Sequence, residues 1–398
     1  MPRLNMSYDV VVIGLGAMGS AAAYQLASRG ARVLGIEAFG RAHELGSSGG
    51  LTRIIRLAYF EHPDYVPMLR AAWDLWPTIQ AEAGDEQLIQ VTGGLYIGRR
   101  GSSVLDGSLK SAETHGLAHE LLDADEARRR FPAIQVDDDM DTLHEPLAGI
   151  LFPDKVIDAH LRLAERYGAA LHFDEVVTGY SSGPAGVTVT TNRGTYEAGK
   201  VVIAAGAWLP KLAPELNLPL RVERNALFWY EPVAEPAMFE PNRLPVWILE
   251  LDEEYTFYGF PSLPGQGVKV ARHYSGQTVD ADSVDRTATE ADERPVRDYM
   301  ARYMPLANGP RLDSRVCMYT NTPDFHFILD FHPDDDRIVV ASPCSGHGFK
   351  FSNIIGSIAA DLALQGRTDF EIGFLSIGRF SSGGGPAEVG RGLGVSSS

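Results

Sequence analysis

Two cysteines, Cys317 and Cys344, in 398 residues are too few for a secreted disulfide framework. A single bridge between them is compatible with the sequence, but a reducing compartment is the simpler expectation. Cations are also scarce: 35 Lys and Arg stand against 52 Asp and Glu, a net charge of −17. That excess excludes bulk electrostatic attraction to nucleic acid or an anionic membrane, so any anionic ligand must be met by locally placed cations. No apolar run approaches the roughly 20 residues of a membrane span, and the opening MPRLNMSYD lacks the parts of a secretory signal. A soluble, cytoplasmic protein is expected. No repeat is evident.

What is present supports a full globular core, with 44% hydrophobic residues. The length exceeds that at which single cores stop growing, so two domains sharing one cleft are expected. The chain is organised around Tyr8 to Glu37. An apolar run, Val10 to Ile13, leads into Gly14-x-Gly16-x-x-Gly19, then an Ala-rich helical segment and a second apolar run ending at Glu37. This is a β-α-β dinucleotide fingerprint in its expected context. Gly14 permits the tight turn, Gly16 lets the backbone approach a pyrophosphate, and Gly19 lets helix and strand pack closely. Glu37 would accept hydrogen bonds from a ribose, which disfavours a 2′-phosphate. Whether the ADP moiety belongs to NAD or FAD is left open by the motif.

A Gly/Ser loop follows, then Thr52-Arg53-Ile-Ile-Arg56. If helical, both guanidinium groups share one face, either as an exposed basic edge or as an anion clamp. Tyr65 to Ala83 reads as an amphipathic helix with Pro77 a kink or break, and Val91 to Ile97 as one strand. Asp137 to Asp141 reads as a solvated acidic loop, and no metal site is expected. Strands are expected at 170–173, 186–191 and 199–204, the last ending at Gly206, where small residues allow a cofactor to approach. From Leu220 to Arg272, aromatic and β-branched segments separated by Pro and Gly suggest an antiparallel sheet, closed by a helix near 293–304. Ser345-Gly346-His347-Gly348 precedes a helix and offers backbone N–H groups. The Gly/Ser-rich segment 380–398 is expected to be disordered.

The fingerprint, the Thr-Arg-x-x-Arg segment, Arg315-Val-Cys317-Met-Tyr319-Thr and Ser345-Gly-His-Gly-Phe-Lys350 occur in the order seen in the monomeric sarcosine oxidase family. The sequence resembles that family, which includes N-methyltryptophan and pipecolate oxidases, from Tyr8 to about Ile377. The resemblance implies an α/β protein: a Rossmann-like FAD-binding domain from 1–84, 146–215 and 316–379, and an α+β substrate domain on an antiparallel sheet from 85–145 and 216–315. It implies FAD attached covalently through Cys317, with Gly14, Gly16, Gly19, Glu37, Gly206, Gly346, His347 and Gly348 around the cofactor. Lys269 matches the oxygen-activating lysine and His273 its neighbour on the same strand face. Arg56 and Lys350, helped by Arg53, match the carboxylate-holding cations, and Tyr258 and Tyr319 the aromatics of the amine pocket.

The implied reaction is oxidation of a secondary-amine amino acid to an imine, with O2 reduced to H2O2, in a monomer. One departure is Gly49, where the family loop carries histidine, which suggests a larger or cyclic substrate such as pipecolate or proline. A dehydrogenase using another acceptor is the alternative chemistry, and Lys269 argues against it. A non-catalytic flavin protein is a third reading, opposed by the cations Arg56, Lys269 and Lys350.

Overall fold

The structure is a computed structural model, and it describes residues 8–380 except 85, 275, 276 and 343. Almost all of the 380–398 tail lies outside the described residues. The opening strand Tyr8–Ile13 and the strand Val33–Ile36 pair in parallel, joined by the helix Ala17–Ser28. Val10 to Ile13 are buried without alternation, as befits a strand covered on both faces. Thr195–Ile203 then does two jobs. Its first half pairs antiparallel with Gly186–Thr191, and its second half lies parallel between Tyr8–Ile13 and Asp335–Ala341. Val177–Gly183, which shows no strand signal in the reading above, completes a hairpin with Gly186–Thr191. Eight strands drawn from distant parts of the chain thus form one sheet.

Helix Ala17–Ser28 packs between Pro153–Arg166 and Ser352–Gln365. The approach to the last of these is close enough that a Cβ on Gly356 would lie 2.6 Å from the Ala21 carbonyl carbon. Alanines and glycines therefore let these helices seat tightly over the sheet.

The second sheet has nine strands, taken from residues 94–145 and 221–321. Towards one edge, Arg221–Tyr230 pairs antiparallel with Gly267–His273 on one side and Arg311–Asn321 on the other. It departs from the expected antiparallel pattern at one place, where Val246–Glu250 runs parallel to Gly94–Arg99. The domain boundary drawn at 316 falls inside Arg311–Asn321. That strand stays with the second sheet, since Cys317 opposes Asn225 and Thr320 opposes Val222.

Three local expectations are corrected. Arg53–Ile55 is a strand, not a helix, paired with Gly149–Leu151. Two adjacent β-branched isoleucines favour the extended form. The helix Val66–Glu82 continues through Pro77, held by its buried face of Met68, Leu69, Ala72, Trp76 and Ile79. The single strand expected at 91–97 divides into Ile89–Val91 and Gly94–Arg99, on different sheets, around Gly93 with φ of +76°. The acidic run carries ion pairs from Arg302 to Asp137, Arg128 to Asp138, Arg99 to Asp139 and Arg100 to Asp141. No cluster able to hold a metal occurs among the described residues.

Candidate active site

A cavity of about 530 Å³ opens at the carboxyl ends of the parallel strands, lined among others by Gly14, Gly16, Glu37, Gly206, Arg53, Tyr319 and Gly346. The glycines have separate reasons. Gly14 holds φ of +86°, and a Cβ there would sit 2.6 Å from the Ala204 carbonyl oxygen. A Cβ on Gly19 would collide with the Gly14 carbonyl, whereas at Gly16 nothing lies within 4 Å of that position. Gly16 therefore leaves its side of the turn open. No side chain caps the helix that starts after it, so its leading N–H groups are placed to receive an anion.

Glu37 is fixed by the backbone N–H groups of Leu15 at 2.7 Å and Phe39 at 3.1 Å, with His43 Nε2 at 3.2 Å. The Thr320 hydroxyl, on a residue of the cavity wall, is buried without a partner. An open glycine turn, an uncapped helix, a fixed carboxylate and an orphaned hydroxyl fit a bound dinucleotide.

Next to Arg53 and Tyr319 lies a group of side chains from the second sheet. Lys269 Nζ is buried and donates to the carbonyls of Gly50 at 2.7 Å and Thr52 at 3.0 Å, and to the Thr52 hydroxyl at 3.0 Å. Its ammonium stands over the rings of Phe260 and Trp229. Burial, reinforced by the Arg53 charge, holds its pKa well below the usual lysine range. Arg53 in turn ties down the Gly/Ser loop through the carbonyls of Ser47 and Gly49. Tyr319 is the hub: its hydroxyl lies 3.4 Å from that of Tyr258 and 3.3 Å from His273 Nδ1. A Cβ on Gly346 would lie 2.6 Å from the Tyr319 ring, so the Ser-Gly-His-Gly turn can close on it only with glycine there. Burial lowers the His273 pKa to about 3, so the imidazole is neutral.

Arg56 and Lys350 belong to a third group. Arg56 is buried and pairs with Glu61 at 2.6 Å, while donating to the Ala58 carbonyl at 3.1 Å. Burial pushes Glu61 up, yet the Arg56 guanidinium, with His347 and Lys350 behind it, wins and brings it down to about 2. Lys350 Nζ donates to the His347 carbonyl at 2.6 Å, and burial with the nearby Arg56 charge lowers its pKa to about 7. His347 lies between two glycines of the cavity wall. Its ring is absent from the cavity lining and is held by the Tyr59 hydroxyl and, at 2.9 Å, the Phe325 carbonyl.

Cys317 is buried beside Leu227, Trp229 and Tyr319, and its immediate neighbour Met318 reaches the cavity wall. Burial raises its pKa, against the pull of Arg53 and Lys269. Both cysteines are free, and Cys344 is on the cavity wall.

Sequence reasoning missed Glu61 and Glu145. Glu61 lies five residues after Arg56, a spacing that could have suggested a partner. Glu145 had no signal: it is distant in sequence, yet accepts from the N–H groups of Leu57 and Ala58 at 2.9 Å each and from Tyr96 at 2.6 Å. It therefore anchors the backbone just beyond Arg56. Burial raises its pKa to about 7.

The DAO family of FAD-dependent oxidoreductases matches residues 9–362. The chain is 43% identical to a monomeric sarcosine oxidase of Streptomyces avermitilis over 95% of its own length and 99% of the relative's. It is 34% identical to an N-methyl-L-tryptophan oxidase of Yersinia pestis, covering 94% and 100% of the two chains. Among solved structures, the open form of NikD, an amino acid oxidase essential for nikkomycin biosynthesis, superposes with a TM-score of 0.82 at 27% identity, covering 94% and 98%. L-proline dehydrogenase from P. horikoshii has the same fold, with a TM-score of 0.80 at 22% identity and coverage of 95% and 99%.

Proposed function

The chain belongs to the family of FAD-dependent oxidoreductases, and from that premise we propose that it oxidises the carbon–nitrogen bond of an N-methyl amino acid, with O2 as the final acceptor. The observation that carries this reading is the buried Nζ of Lys269, bonded to two carbonyls and one hydroxyl rather than to a carboxylate. FAD, when bound, supplies the two-electron chemistry and the route to O2. The protein supplies charge and position. Lys269, desolvated and preoriented, stabilises negative charge developing on O2 as it is reduced. Lys350 and Arg56 attract the substrate carboxylate, which has to share Arg56 with Glu61. Tyr258, Tyr319 and neutral His273 form an amine pocket in which an unprotonated secondary amine, the reactive form, is tolerated.

Covalent attachment of FAD through Cys317 is part of the proposal, as are a monomeric state and a cytoplasmic location. No helix among the described residues is long and apolar enough to cross a membrane. Denatured Cys317→Ser protein is expected to lose the flavin mass that the parent retains, with Cys344→Ser unaffected.

The loop departure at Gly49 keeps a larger or cyclic substrate as the second reading. A Cβ on Gly49 would lie 2.8 Å from the Glu44 carbonyl oxygen, so the chain itself occupies that space. The direct test is peroxide release in air with sarcosine and with L-pipecolate at equal concentrations. Faster turnover of sarcosine is expected; faster turnover of pipecolate would reassign the protein to cyclic imino acids.

A further inference from the structure

A second, small cavity of about 50 Å³ shares His273 with the groups described above. Its lining is mixed: Phe60, His273, Tyr274 and Phe325 supply rings, while Glu223, Glu250, Glu253, Glu254 and Arg221 supply charge. His273 also reaches Tyr319, which lines the cofactor cavity. A wall of rings therefore separates the two spaces. Tyr274 is its centre, with centroids 3.9 Å from His273, 5.7 Å from Tyr319 and 4.9 Å from Phe325.

The backbone of this wall is strained in the same place. Tyr274 and Phe325 both hold φ of +57°, a left-handed conformation disfavoured for bulky side chains. The Tyr274 hydroxyl donates at 3.0 Å to the carbonyl of Ser345, which is itself left-handed at φ of +40°. Strain of this kind persists only where the surroundings over-determine it, and it gathers where a side chain must be held in one position. Phe60, which lines the second cavity, carries the Arg56 guanidinium 4.2 Å from its ring centroid, so this space adjoins the proposed carboxylate-binding cations.

An amino acid carries its side chain on the carbon next to its carboxylate. With that carboxylate on Arg56 and Lys350, the side chain has to fit among the groups around those cations. The geometry points to Tyr274, backed by Phe325, as the partition that sets the size limit of the substrate. It restricts the enzyme to N-methyl amino acids with little or no side chain, and the second cavity is the space a larger side chain would need. This rests on the amine-oxidase reading.

The test compares kcat/KM for sarcosine and N-methyl-L-phenylalanine in the parent and in Tyr274→Gly, Tyr274→Phe and Phe325→Leu. Glycine removes the ring and also suits the left-handed backbone. Hydrophobic pockets discriminate by about 10- to 200-fold per methylene, so the ratio of bulky to small substrate is expected to rise about 30-fold in Tyr274→Gly. Phe325→Leu should raise it in the same direction, and Tyr274→Phe should leave it near the parent value. An unchanged ratio in Tyr274→Gly with sarcosine still oxidised overturns the partition. If that variant does not hold flavin, an unchanged ratio in Phe325→Leu does so. Should no secondary amine reduce the flavin, the amine-oxidase reading fails. The partition is then judged by flavin spectral titration with acetate and indole-3-acetate, where Tyr274→Gly must tighten the larger carboxylate selectively or the proposal falls.

Discussion

Each cation near the cavity is defined by what it lacks or holds. Among the described residues Lys269 has no carboxylate partner, and its three acceptors are neutral oxygens, so no protein anion competes for it when negative charge develops nearby. Lys269→Met is expected to slow flavin reoxidation by O2 by about 10²- to 10³-fold, the cost of losing one preorganised donor, while leaving anaerobic flavin reduction within a few-fold. Stopped-flow traces showing equal slowing of both steps would refute the role. Lys350 differs because burial and Arg56 bring its pKa to about 7. Below that pH it is charged and, in the role proposed for it, would hold a carboxylate; above it the charge is lost. The KM for substrate is therefore expected to rise as pH increases through 7, even as kcat rises with deprotonation of the substrate amine. Lys350→Met should raise KM by about 10- to 100-fold, the worth of one charge-assisted hydrogen bond, and remove the pH dependence of KM between 7 and 9. A KM in the variant that still climbs over that range would count against Lys350 as its source.

The loop and strand around residues 46–55 show how one element serves two purposes. Arg53 binds the loop carbonyls from one side and Lys269 binds Gly50 and Thr52 from the other. Gly50 is caught between them with φ of +104°, and a Cβ there would collide with Leu227. Gly50→Ala is expected to destabilise the protein by about 1–3 kcal/mol through strain and overpacking. Because the same residue supplies an acceptor to Lys269, the variant should also slow flavin reoxidation. Urea unfolding gives the first quantity and oxygen-mixing kinetics the second; unchanged values of both would show that the loop is not held as described. This element was only partly legible in the sequence. The segment Thr52 to Arg56 carried the right residues, but its conformation depended on pairing with Gly149–Leu151, nearly a hundred residues away.

At the scale of the whole molecule, the cavity exists because the first sheet is assembled from segments that meet only after folding, and because the second sheet supplies Tyr319 to its wall, with Tyr258 and His273 against the Tyr319 hydroxyl. A loop after the second sheet's edge strand Gln277–Thr278 also reaches back. Asp282 accepts from Trp208 Nε1 at 2.6 Å and Asp280 from Lys211 at 2.7 Å. Assembly on this scale buries titratable groups and sets the response to acid. His160, His273 and His347 are each lowered by burial to about 3. In the unfolded chain they take up protons below about 6.5 while the folded protein does not, so their contribution to stability is lost as pH falls from 6.5 towards 3. Glu145, raised to about 7 by burial, works in the opposite sense between 7 and 4.5 and offsets part of this. His160 offers the cleanest test, since its Nε2 is buried without a partner between rings of Trp76 and Tyr24, away from the cavity. His160→Leu is expected to reduce the fall in unfolding free energy by about 1.4 kcal/mol per pH unit between pH 6 and 4. Equal slopes in parent and variant would exclude His160 from the acid response.

By itself the sequence determined the dinucleotide-binding unit, because Gly14, Gly16, Gly19 and Glu37 act through local turn geometry and lie within one β-α-β stretch. It also placed Lys269 and His273 on one strand face, since alternation is a local property of an extended chain. The tertiary structure decided the rest. The ion pair of Glu61 with Arg56, the grip of Glu145 on the backbone beyond it, the hold of Tyr59 and Phe325 on His347 and the stand of Tyr274 between two spaces all depend on packing between distant segments. Burial then strengthens or suppresses each charge, and no local pattern reports how deeply a residue will be buried or what will lie against it.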